Sequence, residues 1–352
     1  MKKAIIAMSG GVDSSVAACF MVKKGYECIG ATMKLYDNED IGISREKTCC
    51  SLDDIEDAGN IARKLGMPYY VFNFKDEFEK KVIDKFVKTY EQGGTPNPCI
   101  DCNRYLKFEK LMQRMYELKY DYVVTGHYAR IEEKDGRFYL KKGLDLSKDQ
   151  SYVLYSLTQE QLSHTLFPLG EFSKEEIRRI AEQEGFINAK KRDSQDICFV
   201  PDGDYAAFIE RYTGKTYPEG KFVDKNGNEL GKHSGIIKYT IGQRKGLGLA
   251  AGHPVYVISK NLEENTVTVG SNEDLMTDTL EADSFNWIYE KPDGKIKCAA
   301  KTRYNMKEQP CIAHIEGDRV VVKFDSPVRA VTSGQAVVLY DSEYVIGGGT
   351  II

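Results

Sequence analysis

The hexapeptide Ser9-Gly10-Gly11-Val12-Asp13-Ser14 stands where a short apolar run, Ala4 to Ala7, gives way to a helical pattern from about Val16. Those residue types at that junction suit an anion. Gly10 and Gly11 lack a Cβ, so the backbone can enter positive φ and turn successive N–H groups toward a ligand as the helix begins. Ser9 and Ser14 add hydroxyl donors, and the helix N-terminus adds the positive end of its dipole. No Gly-Lys-Ser or Gly-Lys-Thr closes the loop, so it is not a Walker A sequence, and Asp13 stands there instead. A carboxylate among phosphates repels them unless a divalent cation bridges the two, so the loop reads as a site for ATP with Mg2+. The plainer alternative is a Gly-rich strand-to-helix turn with Ser14 as its N-cap.

Thiols offer a second chemistry. The stretch from Gly93 to Asn103, with Asn97, Pro98, Cys99 and Cys102, is dense in turn formers and reads as an exposed loop, which makes its cysteines accessible. Cys198 follows the basic run Lys190-Lys191-Arg192, and positive neighbours lower a thiol pKa from its ordinary value of about 8.5. A carbonyl oxygen leaves poorly and AMP leaves well, so an ATP loop and two accessible thiols in one chain describe activation followed by nucleophilic substitution. Cys99-x-x-Cys102 with Cys198 also admits three thiolates on a [4Fe–4S] cluster with one open iron, or part of a zinc site. Cys19 and Cys28 fall on core elements and Cys298 and Cys311 on later strands, as packing residues, while Cys49 and Cys50 stay unassigned.

The elements that must position these groups alternate. Strand-like Ala4 to Ala7, Cys28 to Met33, Tyr69 to Phe74 and Tyr122 to Thr125 are interleaved with helical Ser14 to Lys24, Ser51 to Leu65, Asp76 to Tyr90 and Tyr105 to Leu118. Ser51 with Asp54, and Ser173 with Glu176, are capping signals. The alternation predicts an α/β fold, a doubly wound parallel sheet with Gly10, Gly11, Met33, Gly126 and His127 gathered at the carboxyl ends of its strands. Beyond residue 200, glycine-split runs such as Pro254 to Ser259, Thr266 to Val269, Ala299 to Tyr304, Val320 to Phe324 and Ala336 to Leu339 predict two small, mostly β domains. The expected division is 1–200, 201–275 and 276–352, the last a β-barrel.

A chain of 352 residues, 41% hydrophobic and 29% charged, has the composition of a soluble protein, with no apolar run near the ~20 residues of a membrane span. Five apolar residues before Ser9 are too few for a signal-peptide core, and nine scattered cysteines argue against a secreted disulfide framework, so a cytoplasmic location is expected. The net charge of −4 gives no global attraction to nucleic acid. Lys141-Lys142, Lys190 to Arg192, Arg244-Lys245 and Lys301 to Tyr304 are local basic clusters, each a solvated face if taken alone, but four on one acidic chain, together with the family resemblance it carries, reverse that reading in favour of contact with nucleic acid.

Together these residues resemble the tRNA-specific 2-thiouridylases (MnmA type) of the ATP-pyrophosphatase loop superfamily, with its adenine nucleotide alpha-hydrolase-like fold. The likeness runs end to end. It is carried by Ser9 to Ser14, Thr48 to Ser51, Asn97-Pro98 through Cys102-Asn103, Thr125 to Tyr128, Lys148 to Tyr152, Ile197 to Phe199, Gly242 to Gly246, Arg303-Tyr304 and Gly334-Gln335. The resemblance implies a tRNA-uridine 2-sulfurtransferase that adenylates O2 of the wobble uridine (position 34), releases pyrophosphate, and replaces the oxygen with sulfur to give 2-thiouridine. ATP would be held by Ala7, Met8, Ser9, Gly10, Gly11, Val12, Asp13 and Ser14, with Met33 and Gly126 near the nucleoside.

Cys198 would carry the sulfur as a persulfide and Cys102 would be its partner thiol, the two closing a transient disulfide that a thiol reductant reopens. Asn97, Pro98 and Cys99 fall where the family meets the target base. His127, Lys148, Asp149, Gln150, Arg303, Tyr304 and Gln335 fall where it contacts tRNA, with lysine, glutamate and glutamine acceptors the implied set. A cysteine desulfurase or sulfur-relay protein is the implied donor. Some members have aspartate at the place of Cys99, a proposed acid/base, and that role is left without an owner here; Asp101 is near but is not assigned it. The competing readings are the same reaction with sulfur delivered through the iron–sulfur cluster, an ATP-pyrophosphatase amidotransferase or ligase, and a non-catalytic tRNA-binding protein.

Overall fold

The computed structural model describes residues 1–37, 52–191, 197–250 and 252–352. Thr48 to Ser51, with Cys49, Cys50 and the cap expected at Ser51, lie outside the described residues, as do Arg192 to Asp196. Five parallel strands form the first sheet: β1 (Lys3–Ala7), β2 (Glu27–Lys34), β3 (Tyr69–Asn73), β4 (Tyr122–Val124) and, after a hairpin of β5 (Ala129–Lys134) and β6 (Arg137–Lys142), β7 (Thr165–Leu166). Their order is β3-β2-β1-β4-β7. Both faces are covered, which is why the central strand is apolar from Ala4 to Ala7. Ile5, Ile29 and Val123 face the helical segments after β3, and Ala4, Ile6, Cys28 and Val124 face α1 (Val12–Lys23), α2 (Leu52–Lys64) and the helix Lys174–Gln183.

The second sheet contains β8 (Gly220–Val223), β9 (Glu229–His233), β10 (Tyr256–Asn261) and β11 (Thr266–Gly270), in the order β10-β11-β8-β9. Phe222, Val257 and Val267 share one core with Phe86, Phe199 and Phe208, so this sheet is welded to the first domain. The final unit is a closed six-stranded barrel of β12 (Met276–Trp287), β13 (Ile296–Lys301), β14 (Gln309–Glu316), β15 (Arg319–Arg329), β16 (Ala336–Asp341) and β17 (Tyr344–Ile351). It runs β12-β15-β14-β13-β16-β17, and β17 pairs back onto β12. The doubly wound sheet followed by two β units matches the expected fold class. No helix among the described residues is long and apolar enough to cross a membrane.

Three local expectations change. The β5–β6 hairpin, which the sequence pattern did not assign, joins the barrel sheet through Tyr344 opposite Lys141. Arg303 and Tyr304 lie in a turn beyond β13 rather than on a strand. The supposed loop around the cysteines is helical: Pro98–Asp101 leads into a wide π segment, Cys102–Lys110, and then Leu111–Glu117. Pro98 is the reason, because at the first helical position its missing N–H costs nothing and its fixed φ starts the turn. Cys99 is still exposed, but Asp101 and Asn103 beside Cys102 are buried.

Candidate active site

The end of β1 delivers the chain into the glycine loop. Gly10 has φ +71°, and a Cβ there would lie 2.5 Å from the Asp54 carbonyl oxygen on α2, so glycine is required twice over. Gly11 is the N-cap of α1 and supplies no capping side chain. The first N–H groups of α1 therefore keep their donor capacity, as an anion site needs. Ser14 is not the cap; its hydroxyl donates to the Gly11 carbonyl at 3.1 Å and accepts the Ser9 N–H at 3.2 Å, which folds the loop on itself. Met8 and Val12 are buried beneath it, and the Met8 backbone is tied to Ala31 and Thr32. Gly126, at the end of β4, packs on the start of α1, where a Cβ would come within 2.8 Å of the Asp13 carbonyl carbon. The parallel strands thus bring the loop and Gly126 to one rim, with Met33 at the matching end of β2.

Asp13 has partners that no motif announced. Both carboxylate oxygens accept from Lys174 Nζ at 2.8 Å, and Oδ1 also accepts the Tyr128 hydroxyl at 2.8 Å. Lys174 is only 8% exposed and opens a helix whose capping box, Ser173 with Glu176, was legible in the sequence. The chain itself therefore counters the negative charge in the loop. Asn188 completes the cradle by donating to the Gly10 carbonyl and the Ser15 hydroxyl, both at 2.9 Å. Lys191, expected to activate Cys198, instead binds Asp54 and Asp57.

The thiols are in a different setting. Burial pushes the Cys102 thiol up to about 11, with Lys107 opposing and Cys99 and Asp101 adding to the rise. The buried Asp101 carboxyl is itself raised by desolvation, against Lys85 Nζ at 2.7 Å. Cys102 and Cys198 border the same hydrophobic core, and the Cys198 carbonyl accepts from the Tyr36 hydroxyl at 2.8 Å. The disulfide expected after sulfur transfer is not formed. Among the described residues no three His, Cys, Asp or Glu side chains converge to hold a metal, so Cys99, Cys102 and Cys198 do not fit a cluster in this arrangement.

The barrel reaches into this helix. Gln335 Nε2 donates to the carbonyls of Thr95 and Pro96 at 2.9 and 3.2 Å, and the Thr95 N–H donates to the Ser333 carbonyl at 2.9 Å. These bonds fix the two residues just before Asn97. Tyr304 lies near enough for Asp149 and Cys99, after burial, to raise its phenol.

Three family models cover the chain: the tRNA methyl transferase HUP domain at residues 2–202, the tRNA methyl transferase PRC-barrel domain at 206–271, and the aminomethyltransferase beta-barrel domain at 277–351. A tRNA-specific 2-thiouridylase MnmA of Lachnoclostridium phytofermentans is 52% identical over 100% of both chains, and one of Clostridioides difficile is 49% identical over 99% of this chain and 98% of its own. The chain belongs to the tRNA-specific 2-thiouridylase family. A solved 4-thiouridine synthetase–RNA complex with bound ATP aligns with 60% of this chain and 50% of its own at 19% identity and a TM-score of 0.35.

In this thiouridylase several residues singled out for tRNA have their polar atoms engaged inside the chain. His127 is buried between Phe108 and Phe167, with Nδ1 2.6 Å from the Thr125 hydroxyl, and burial holds its imidazole well below the usual range. Asp149 accepts the N–H groups of Gly143 and Ser151, and Gln150 accepts that of Tyr128. Arg303 donates to the carbonyls of Ile241 and Ala330, bridging the second sheet to the barrel. Lys141 and Lys142 are paired with Glu132, Glu343 and Glu308. Arg244 and Lys245 remain exposed on a loop.

Proposed function

We propose that this 2-thiouridylase thiolates the wobble uridine of tRNA in three chemical steps. The uracil O2 attacks the α-phosphorus of ATP and pyrophosphate leaves. The terminal sulfur of a Cys198 persulfide then attacks C2 and AMP departs with the oxygen, leaving C2 joined to Cys198 through an S–S bond. The Cys102 thiolate attacks the Cys198 sulfur, which releases 2-thiouridine and closes a Cys102–Cys198 disulfide for a thiol reductant to reopen. A methyl transfer would call for neither an ATP loop nor a thiol pair. The observation that carries the reading is the uncapped start of α1 at Gly11, a built anion site in a chain that also holds Cys102 and Cys198 against one core.

Ala7 to Ser14 hold the phosphates with Mg2+, and Met33 and Gly126 border the nucleoside. Asn97, Pro98 and Cys99 meet the base. Lys148 and Tyr304 face the RNA, while His127, Asp149, Gln150, Arg303 and Gln335 support its binding by holding the backbone around it. The lysine, glutamate and glutamine acceptors, a cysteine desulfurase or sulfur relay as donor, and a cytoplasmic location complete the proposal.

The test uses purified protein, ATP, tRNA and a persulfide donor, with thionucleoside read after nuclease digestion and pyrophosphate read separately. Cys198→Ser is expected to abolish 2-thiouridine while pyrophosphate release persists. Thiolation that survives this substitution sinks the persulfide route, and pyrophosphate release without thionucleoside in the wild type sinks the assignment.

A further inference from the structure

Where the cysteine helix meets the barrel there is an open cleft of about 460 Å3, bounded by Arg104, two residues beyond Cys102, and by β12 and the β14–β15 turn. Three cations line it, Arg104, Lys291 and Arg319, together with Phe285 and Trp287, whose ring centroids lie 4.4 Å apart. Arg319 already binds Glu281 at 2.7 Å, and Asp318 is the one acidic member of the lining. Arg104 and Lys291 enter no ion pair among the described residues.

The floor of the cleft is built with local strain. Ser284 has φ +49°, an uncommon conformation for a residue with a side chain, at a break in the β12–β17 register between Asp283 and Asn286. That bulge seats the Phe285 ring against Gly347 and Gly349, where added Cβ atoms would come within 2.9 and 2.8 Å of it. Two strand glycines and a strained serine hold an aromatic surface half-exposed beside the helix that carries Cys99 and Cys102. Strain of this kind gathers at functional sites.

Flat rings flanked by unpaired cations match the chemistry of a nucleotide, whose base stacks while its phosphate is neutralised. We propose that this cleft takes one unstacked nucleotide of the RNA substrate, next to the uridine delivered to Cys102. Its phosphate lies between Arg104 and Lys291, and its base lies against Phe285 and Trp287. The proposal rests on the reading of the substrate as tRNA and adds a place where the strand beside the reacting base is held.

Trp287 is the sole tryptophan of the chain, so its emission reports on the cleft directly. The full-length protein is titrated with a hairpin RNA carrying uridine in its loop, and emission is compared with retention of the same RNA on filters. Quenching that saturates together with retention is expected. Lys291→Glu, at an exposed position, is expected to weaken retention about tenfold and to reduce the dependence of log affinity on log salt by about one. Retention and salt dependence unchanged in Lys291→Glu, with Trp287 emission unmoved at saturation, would overturn the cleft while leaving the tRNA reading intact. Equal quenching by a fully paired duplex would overturn the unstacked nucleotide. Failure of the wild type to retain RNA would overturn the substrate reading and the cleft with it.

Discussion

Around Gly10 and Gly11 the working groups are backbone N–H donors, and the acidic member of the loop, Asp13, is held by Lys174 and Tyr128 from distant segments. Around Cys102 the working group is a single side chain, and its surroundings favour the uncharged thiol: burial, a neighbouring thiol and the buried Asp101. The first N–H groups of α1 are left without a capping side chain before any ligand arrives. The thiol rests protonated, so its chemistry waits on a step that removes the proton or moves the helix. That contrast suits a reaction in which the substrate must be adenylated before sulfur moves, because an idle thiolate would be open to oxidation.

The contrast is sharpest in thiol reactivity. Only the thiolate is nucleophilic, so a pKa raised to about 11 leaves Cys102 about 300-fold less reactive at neutral pH than a thiol at the ordinary value of about 8.5. Alkylation of Cys102, followed by peptide mass spectrometry, is expected to climb about tenfold per pH unit until pH approaches 11. A Cys102 that reacts like a free thiol at pH 8 breaks the comparison on the cysteine side.

On the loop side, Lys174→Met removes the cation that faces both oxygens of Asp13. We expect kcat/KM for ATP, read by pyrophosphate release, to fall about 100-fold, the scale seen when one preorganised donor is removed. Lys174→Arg should restore part of it. Wild-type rates in Lys174→Met would mean that the Asp13 pair is structural only.

Gln335→Ala joins the two halves of the comparison. It frees the Thr95 and Pro96 carbonyls at a cost of about 1 kcal/mol per bond, while the Thr95–Ser333 backbone bond stays. Thiolation and tRNA-dependent pyrophosphate release should both drop about tenfold if the displaced Asn97–Cys99 turn is felt in the transition state of adenylation, because both need the uridine held there. Losses that track a fall in the amount of folded protein would place Gln335 in overall stability instead.

The glycine turn between β1 and α1 could be read without a structure because its parts are consecutive: strand, glycines, hydroxyls and helix within a dozen residues. The alternating pattern likewise revealed the parallel sheet, since a two-sided buried strand and an amphipathic helix differ in period. The cysteine segment is a loop only from Gly93 to Asn97: turn formers mark that half correctly, whereas Pro98 begins a helix that carries Cys99 and Cys102. The charge balance of some basic clusters was hidden for a related reason. A run of lysines does not say what faces it, and Lys141, Lys142 and Lys191 face carboxylates from elsewhere in the chain.

The order of residues by itself determined the glycine turn ahead of α1, the strand-and-helix alternation and the presence of thiols, because each depends on near neighbours and on backbone freedom. Only the tertiary structure decided that Lys174 would meet Asp13 across 161 positions, that Gln335 would hold Thr95 across 240, and that Cys102 would be desolvated enough to raise its thiol. Those are matters of charge compensation and desolvation, and both depend on what the fold places beside a group rather than on what precedes it in the chain.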